Sequence, residues 1–310
     1  MKKMLFPALL LCGMGLTVVG CKKDASVNAD GKEVVAVDNM DDANAIIEFN
    51  NGLIEKSSKN RSNLERVVRY LESMDAFIAG RTPVLIPPIT MPSMSKLAEA
   101  PDALGKNKEA VKTLVADSTK KIDDIKKKTD ELVTYIKAED YKDDKGAKAQ
   151  TYKAEIMKLI DDYYVNEDKL SAIIQPIADG AEETILKDHP LKDYILGSKK
   201  VLTLSQNITT AVTDQYNEDL YDIPAIKKQY DVLEKEIKAN TAKEFKVSDA
   251  SLQSKKGYYE SFNKEGDNFL ATLRKVLREA ETSKTITEGQ ASEIQNGYQN
   301  IVSRYNNFVD

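Results

Sequence analysis

The chain has no tryptophan, one histidine and two cysteines in 310 residues. The lone histidine, His189, excludes any site that needs two: a di-iron centre built from paired Glu-x-x-His motifs, or an HExxH zinc site. A Ser-His-Asp triad would have to use His189 within "KDHPLKD", a helix junction where a solvated or capping histidine is the expected role. Neither a Gly-x-Ser-x-Gly elbow nor a glycine-rich phosphate loop occurs. Positive charge is not in excess either. Lysine and arginine total 45 against 50 acids, a net charge of −5, so the basic stripe of a nucleic-acid binder is missing. Residues 41–310 also lack the alternating apolar pattern of β-strands.

What is present begins with a short apolar leader. Lys2 and Lys3 precede residues 4–19, which are apolar apart from Thr17 and small residues, the pattern of a secretory signal. As a helix, residues 4–20 would rise only about 25 Å, short of the roughly 30 Å hydrocarbon core of a bilayer. The leader ends in "VVGC": Val18, Val19, Gly20, Cys21. This resembles the bacterial lipobox, which implies lipidation of the Cys21 thiol and cleavage before it. Cys12 would leave with residues 1–20, making Cys21 the sole cysteine of the mature chain and excluding an intramolecular disulfide. Cleavage removes Lys2 and Lys3 and no acid, so the mature net charge is −7. Lys22, in place of a retention aspartate, implies by the same resemblance an outer-membrane destination.

Residues 21–40 are small, polar and acidic without a helical period, which predicts a flexible tether. From residue 41 onward one period dominates. Val111, Val115, Ser118, Ile122, Ile125, Thr129, Leu132 and Ile136 alternate steps of four and three, the seam of packed helices. Ile46, Leu53, Leu64, Val67, Leu71, Met74 and Ile78 repeat it, with Ser57 and Asn60 as polar members. Tyr152, Ile156, Leu159, Tyr163, Leu170, Ile173 and Ile177 continue it in a third segment, where Pro176 and Gly180 are expected to kink or end the helix. Phe262, Phe269, Leu273 and Val276 mark a later helix. Thr287 with Gln290 has capping-box spacing at the start of the last one. The expectation is an all-α fold, a bundle of six to seven helices over 41–310.

One stretch interrupts the rhythm. Residues 81–101, "RTPVLIPPITMPSMSKLAEAP", hold five prolines, so no helix crosses them. Their aliphatic content predicts that Val84, Leu85, Ile86 and Ile89 lie against the helices. Presentation to a partner in polyproline form is the alternative.

Paired carboxylates occur at Asp123-Asp124, Asp143-Asp144, Asp161-Asp162 and Glu182-Glu183, each in a charge-rich segment that reads as a solvated helix face. A wall hydrolase would need two such groups facing across a cleft. Among fourteen tyrosines, most fall on apolar seams. The doublets Tyr163-Tyr164 and Tyr258-Tyr259 each place one ring off the core, and Tyr164 and Tyr259 are the candidate contact aromatics.

The lipobox, "NAIIEFNNGLI" at 44–54 and "YQNIVSRYNNFV" at 298–309 together resemble the YiiG-like bacterial lipoproteins, a family centred on a domain of unknown function. The resemblance implies a helical, membrane-tethered envelope domain and transfers no catalytic residue or cofactor. The resulting expectation is a non-catalytic domain that binds or scaffolds, held to the bilayer by acyl chains and facing an unidentified envelope protein or ligand. A carboxylate hydrolase and a small-ligand or lipid capture module are the alternatives. With Cys21 in the tether and His189 alone, no transition-metal site is expected. Metal analysis of dialysed mature protein should show zinc and iron well below stoichiometric; one equivalent of either would contradict this.

Overall fold

The computed structural model describes residues 36–37, 39–88, 97–218 and 220–309. The leader, Cys21 and nearly all of the tether lie outside the described residues. Seven α-helices are present among the described residues: α1 (Met40–Ile78), α2 (Lys108–Lys137), α3 (Ala147–Leu186), α4 (Lys192–Asn217), α5 (Ile223–Thr241), α6 (Lys255–Ser283) and α7 (Glu288–Val309). No strand occurs among the described residues. The all-α expectation and the helix count both hold.

Local sequence explains the helix ends. The Asn39 side chain accepts the Asp42 amide at 2.8 Å ahead of α1, meeting one of the donors that a helix start leaves unpaired. Before α7, the Thr287 hydroxyl accepts the Gln290 amide at 3.3 Å and the Gln290 side chain accepts the Thr287 amide at 2.9 Å. This is the reciprocal pairing that the spacing predicts. Pro176 behaves differently from expectation: α3 continues ten residues past it, to Leu186. Ile174, Ile177 and Ala178 around it are buried. Packing of these side chains offsets the roughly 3 kcal/mol that an interior proline costs.

Residues 41–310, expected as one bundle, fall into two compact units, Val37–Ala181 and Glu182 onward. In the first, the α1 seam (Ile46, Leu53, Leu64, Val67, Leu71, Met74) is buried, as are Val111, Ile125 and Leu132 of α2. Ser57 and Asn60 are buried on the same seam, and the Asn60 amide donates to the Tyr163 hydroxyl at 3.3 Å. In the second unit one continuous core joins Ile208 and Val212 of α4, Leu233 and Ile237 of α5, Phe262, Phe269 and Leu273 of α6, and Ile294, Tyr298 and Ile301 of α7.

The proline-rich insert corrects the packing expectation. Val84 is 65% exposed and Ile86 76%, with Leu85 between them half-buried. In an extended segment alternate side chains point opposite ways, so only one of the two faces can meet the helices. The later part of the insert does pack: Ala100 is buried, and a β-carbon on Gly52 of α1 would stand 3.0 Å from Leu97 Cδ1. Ile89 lies outside the described residues.

Gly197 of α4 marks a close approach in the second unit. A β-carbon there would come within 2.3 Å of Asn240 Oδ1, and Asn240 is fixed by a 2.7 Å bond from its amide to Asn263. Gly197→Ala should therefore destabilise by about 1–3 kcal/mol despite its better helix propensity. Gly257→Ala, with nothing within 4 Å of its β-carbon, should stabilise by about 0.5–1 kcal/mol. Denaturant melts of the two variants check the opposite signs.

Candidate functional site

The first unit carries an open groove of about 730 Å³ along α2 and the start of α3. Its floor is aromatic. The rings of Tyr135 and Tyr152 lie 6.3 Å apart, and the Lys148 ammonium sits 5.8 Å from each ring centroid. Such placement over ring faces is attractive, through the negative face of the aromatic quadrupole. The Tyr135 hydroxyl donates to Asp144 Oδ1 at 2.5 Å. Asp144 also accepts the amides of Gly146 (2.9 Å) and Lys148 (3.1 Å), so it caps α3. The Tyr135 bond, followed by these amides, holds the Asp144 carboxyl below its usual range. Burial, and then Asp144 itself, pushes the Tyr135 hydroxyl well up. Asp123, Asp130 and Glu131 share the groove walls with Lys126, Lys127 and Lys148, which gives a field of mixed sign rather than an acidic cleft.

The candidate tyrosines separate. Tyr164 is half-buried, with its ring edge-on to Tyr163 at 5.4 Å, and burial raises its hydroxyl pKa. Tyr259 is corrected outright: it is 2% exposed, while Tyr258 is the outward ring at 49%. Tyr259 packs with Tyr194, Phe245 and Phe308, and its hydroxyl donates to the Asn240 carbonyl at 2.6 Å. Burial pushes that hydroxyl up to about 12. The Tyr194 hydroxyl in turn accepts the Lys246 amide at 2.6 Å. The aromatic group therefore pins the chain between α5 and α6, a structural rather than a contact role. His189 accepts the Leu191 amide on Nδ1 at 3.1 Å, a local turn bond ahead of α4, whose start carries no side-chain cap.

The sequence reading missed one pair. Glu182, read as solvated, is 5% exposed and forms an ion pair with Lys199 of α4, itself 1% exposed. Lys199 follows Ile195 by four residues and precedes Leu202 by three, so its place on the apolar seam of α4 was the available signal. Among the described residues, no group of three or more His, Cys, Asp or Glu is gathered to hold a metal ion.

Residues 93–307 match the family model described as Protein of unknown function (DUF3829). The chain belongs to this family. A crystal structure of an alpha helical protein from Bacteroides fragilis NCTC 9343 superposes with a TM-score of 0.57 at 16% identity, covering 86% of this chain and all of that one. An uncharacterized DUF3829-like protein from Bacteroides thetaiotaomicron VPI-5482 gives 0.54 at 18% identity, covering 84% and 98%. At these identities the likeness is one of fold. No curated protein matches the chain.

Within this DUF3829 chain the buried pair has a measurable signature. Lys199→Met removes the ion-pair partner of the buried Glu182 carboxylate and should cost about 3–5 kcal/mol. Glu182→Leu with Lys199→Met should recover most of that loss, because neither charge then remains buried. Urea melts of the single and double variants check this; equal losses in both would refute it.

Proposed function

We propose that this chain is a bacterial envelope lipoprotein whose helical units act by binding or scaffolding and not by catalysis. One observation carries the reading: the apolar leader closes in "VVGC", and Cys21 is the only cysteine beyond it. Lipid transfer needs a thiol nucleophile at the membrane surface, and the small residue before it leaves the backbone open to the peptidase. A single acyl chain holds a protein only marginally, at about 0.8 kcal/mol per buried methylene, whereas two or three make attachment durable. No helix among the described residues is long and apolar enough to cross a membrane. The narrower YiiG-like kinship and the outer-membrane side, the latter inferred from Lys22, belong to the same proposal.

Three of the four carboxylate pairs contain a member bonded within the chain, Asp124 among them through Lys120. Asp144 caps α3 and Glu182 pairs with Lys199, which weakens the hydrolase alternative. The groove on α2 and α3 is open and mixed in charge, unlike the enclosed apolar cavity that capture of a small ligand or lipid favours.

Palmitate labelling of the full chain in bacterial cells tests the anchor. Label should appear in the wild type and vanish in Cys21→Ser. No label in the wild type, or equal label in both, would contradict the proposal.

A further inference from the structure

We propose that the groove between the start of α6 and the end of α7 binds an acidic saccharide, its carboxylate on Arg304 and a sugar ring on Tyr258. The site goes beyond the anchoring role proposed above and does not depend on it. Both helices belong to the second unit, where two ring contacts fix how they meet: Phe262 to Tyr305 at 6.1 Å and Tyr259 to Phe308 at 5.4 Å. Beside these buried residues each helix carries an outward row. On α6 it is Ser254, Gly257, Tyr258 and Ser261, spaced i, i+3, i+4 and i+7 on one face. On α7 it is Arg304 and Asn307, three apart. Together the six line an open groove of about 450 Å³, a size common among small-molecule sites.

The lining gathers polar groups that the chain itself does not use. The Arg304 guanidinium, the Asn307 amide and the hydroxyls of Ser254, Tyr258 and Ser261 make no hydrogen bond or ion pair among the described residues. No acid lines the groove. The acids nearest along the chain are engaged elsewhere: Asp249 with Ser251, Glu260 with Lys256, and Glu293, the last acid of α7, with Lys275. Asp310 lies outside the described residues. A guanidinium with no carboxylate of its own favours one on the ligand, which it can hold through two parallel N–H donors. The Lys255 ammonium, 5.8 Å from the Tyr258 ring centroid, adds a second positive charge. Tyr258 itself is 49% exposed, and the negative face of its ring attracts the C–H groups of a sugar. Ser254, Ser261 and Asn307 can each donate and accept, as sugar hydroxyls do. A simple aliphatic carboxylate would leave them unused. Gly257 completes the site. Glycine within a helix costs stability, and no neighbour demands it here, because a β-carbon would meet nothing within 4 Å. Its missing side chain keeps the groove clear.

The test is calorimetric titration of the full chain, purified in a non-glycosidic detergent, with tetragalacturonate. Maltotetraose serves as the neutral sugar and tetraglutamate as the acid that is not a sugar. Tetragalacturonate should bind about tenfold more tightly than either, the difference made by one charge-assisted contact or one stacked ring. Arg304→Gln and Tyr258→Ala should each weaken it by about the same factor. Tyr258→Phe should stay close to the wild type, since the ring face makes the contact. Gly257→Leu should abolish binding while melting no lower than the wild type, which separates a filled groove from a damaged fold. Arg278→Gln removes the same charge about 30 Å further along α6 and should leave binding unchanged. No binding of tetragalacturonate at millimolar concentration, equal binding of tetraglutamate, or equal losses in Arg304→Gln and Arg278→Gln would overturn the proposal. So would binding that survives Tyr258→Ala or Gly257→Leu.

Discussion

Side chains three and four residues apart on a helix share one face, and every helix of this chain must bury that face against a neighbour. The rest of the structure depends on meeting this requirement. On α6 the buried series runs Tyr259, Phe262, Gly266, Phe269, Leu273, Val276 and Ala280. It meets Ala291, Ile294, Tyr298, Ile301 and Tyr305 of α7. Each fully buried aliphatic or aromatic residue stabilises by about 1.5–3 kcal/mol, against a backbone ordering cost of about 1–2 kcal/mol per residue. A narrow seam on a long helix therefore leaves little surplus. Its exposed face is free to carry charge, which is where the lysines and acids of α2 lie.

Three pairs of polar groups that enter these seams are matched within their own unit. Asn60 meets the Tyr163 hydroxyl, Asn240 meets Asn263, and Glu182 meets Lys199. A polar group without its partner would cost about 1–3 kcal/mol, so each match penalises a shifted register. Gly197 serves the same end by sterics, admitting Asn240 where any β-carbon would collide. The aromatic group of Tyr194, Phe245, Tyr259 and Phe308 then holds the segment between α5 and α6 in place.

Much of this was legible in the residues and some was legible but misread. The all-α class and the Thr287–Gln290 cap follow from local chemistry, which needs no tertiary context. The Tyr258–Tyr259 doublet does need it, because neighbouring residues differ by about 100° of helix rotation. Stepping three back from Phe262 along its seam reaches Tyr259, so the phase was present and was assigned to the wrong ring. Lys199 was passed over because charge outweighed its seam position. Residue 181 lies inside α3, five residues past Pro176 and next to Gly180, so the sequence marked this neighbourhood, but as a helix break and not as a boundary between units. Packing overrode the break that Pro176 signalled.

The apolar residues of the insert complete the division between side chains that hold the helices and side chains left for contact. Ala100 belongs to the first group; Val84 and Ile86 belong to the second. The central claim is that stability resides in the seams and not in this exposed strip. Thermal melting of the mature chain carrying Val84→Ser and Ile86→Ser tests it most directly, with Leu273→Ala in the α6 seam as comparison. Truncating that buried leucine should cost about 2–5 kcal/mol, lowering the melting temperature by on the order of ten degrees. The double serine variant should melt within about one degree of the wild type, as surface changes do. A fall approaching that of Leu273→Ala would contradict the account.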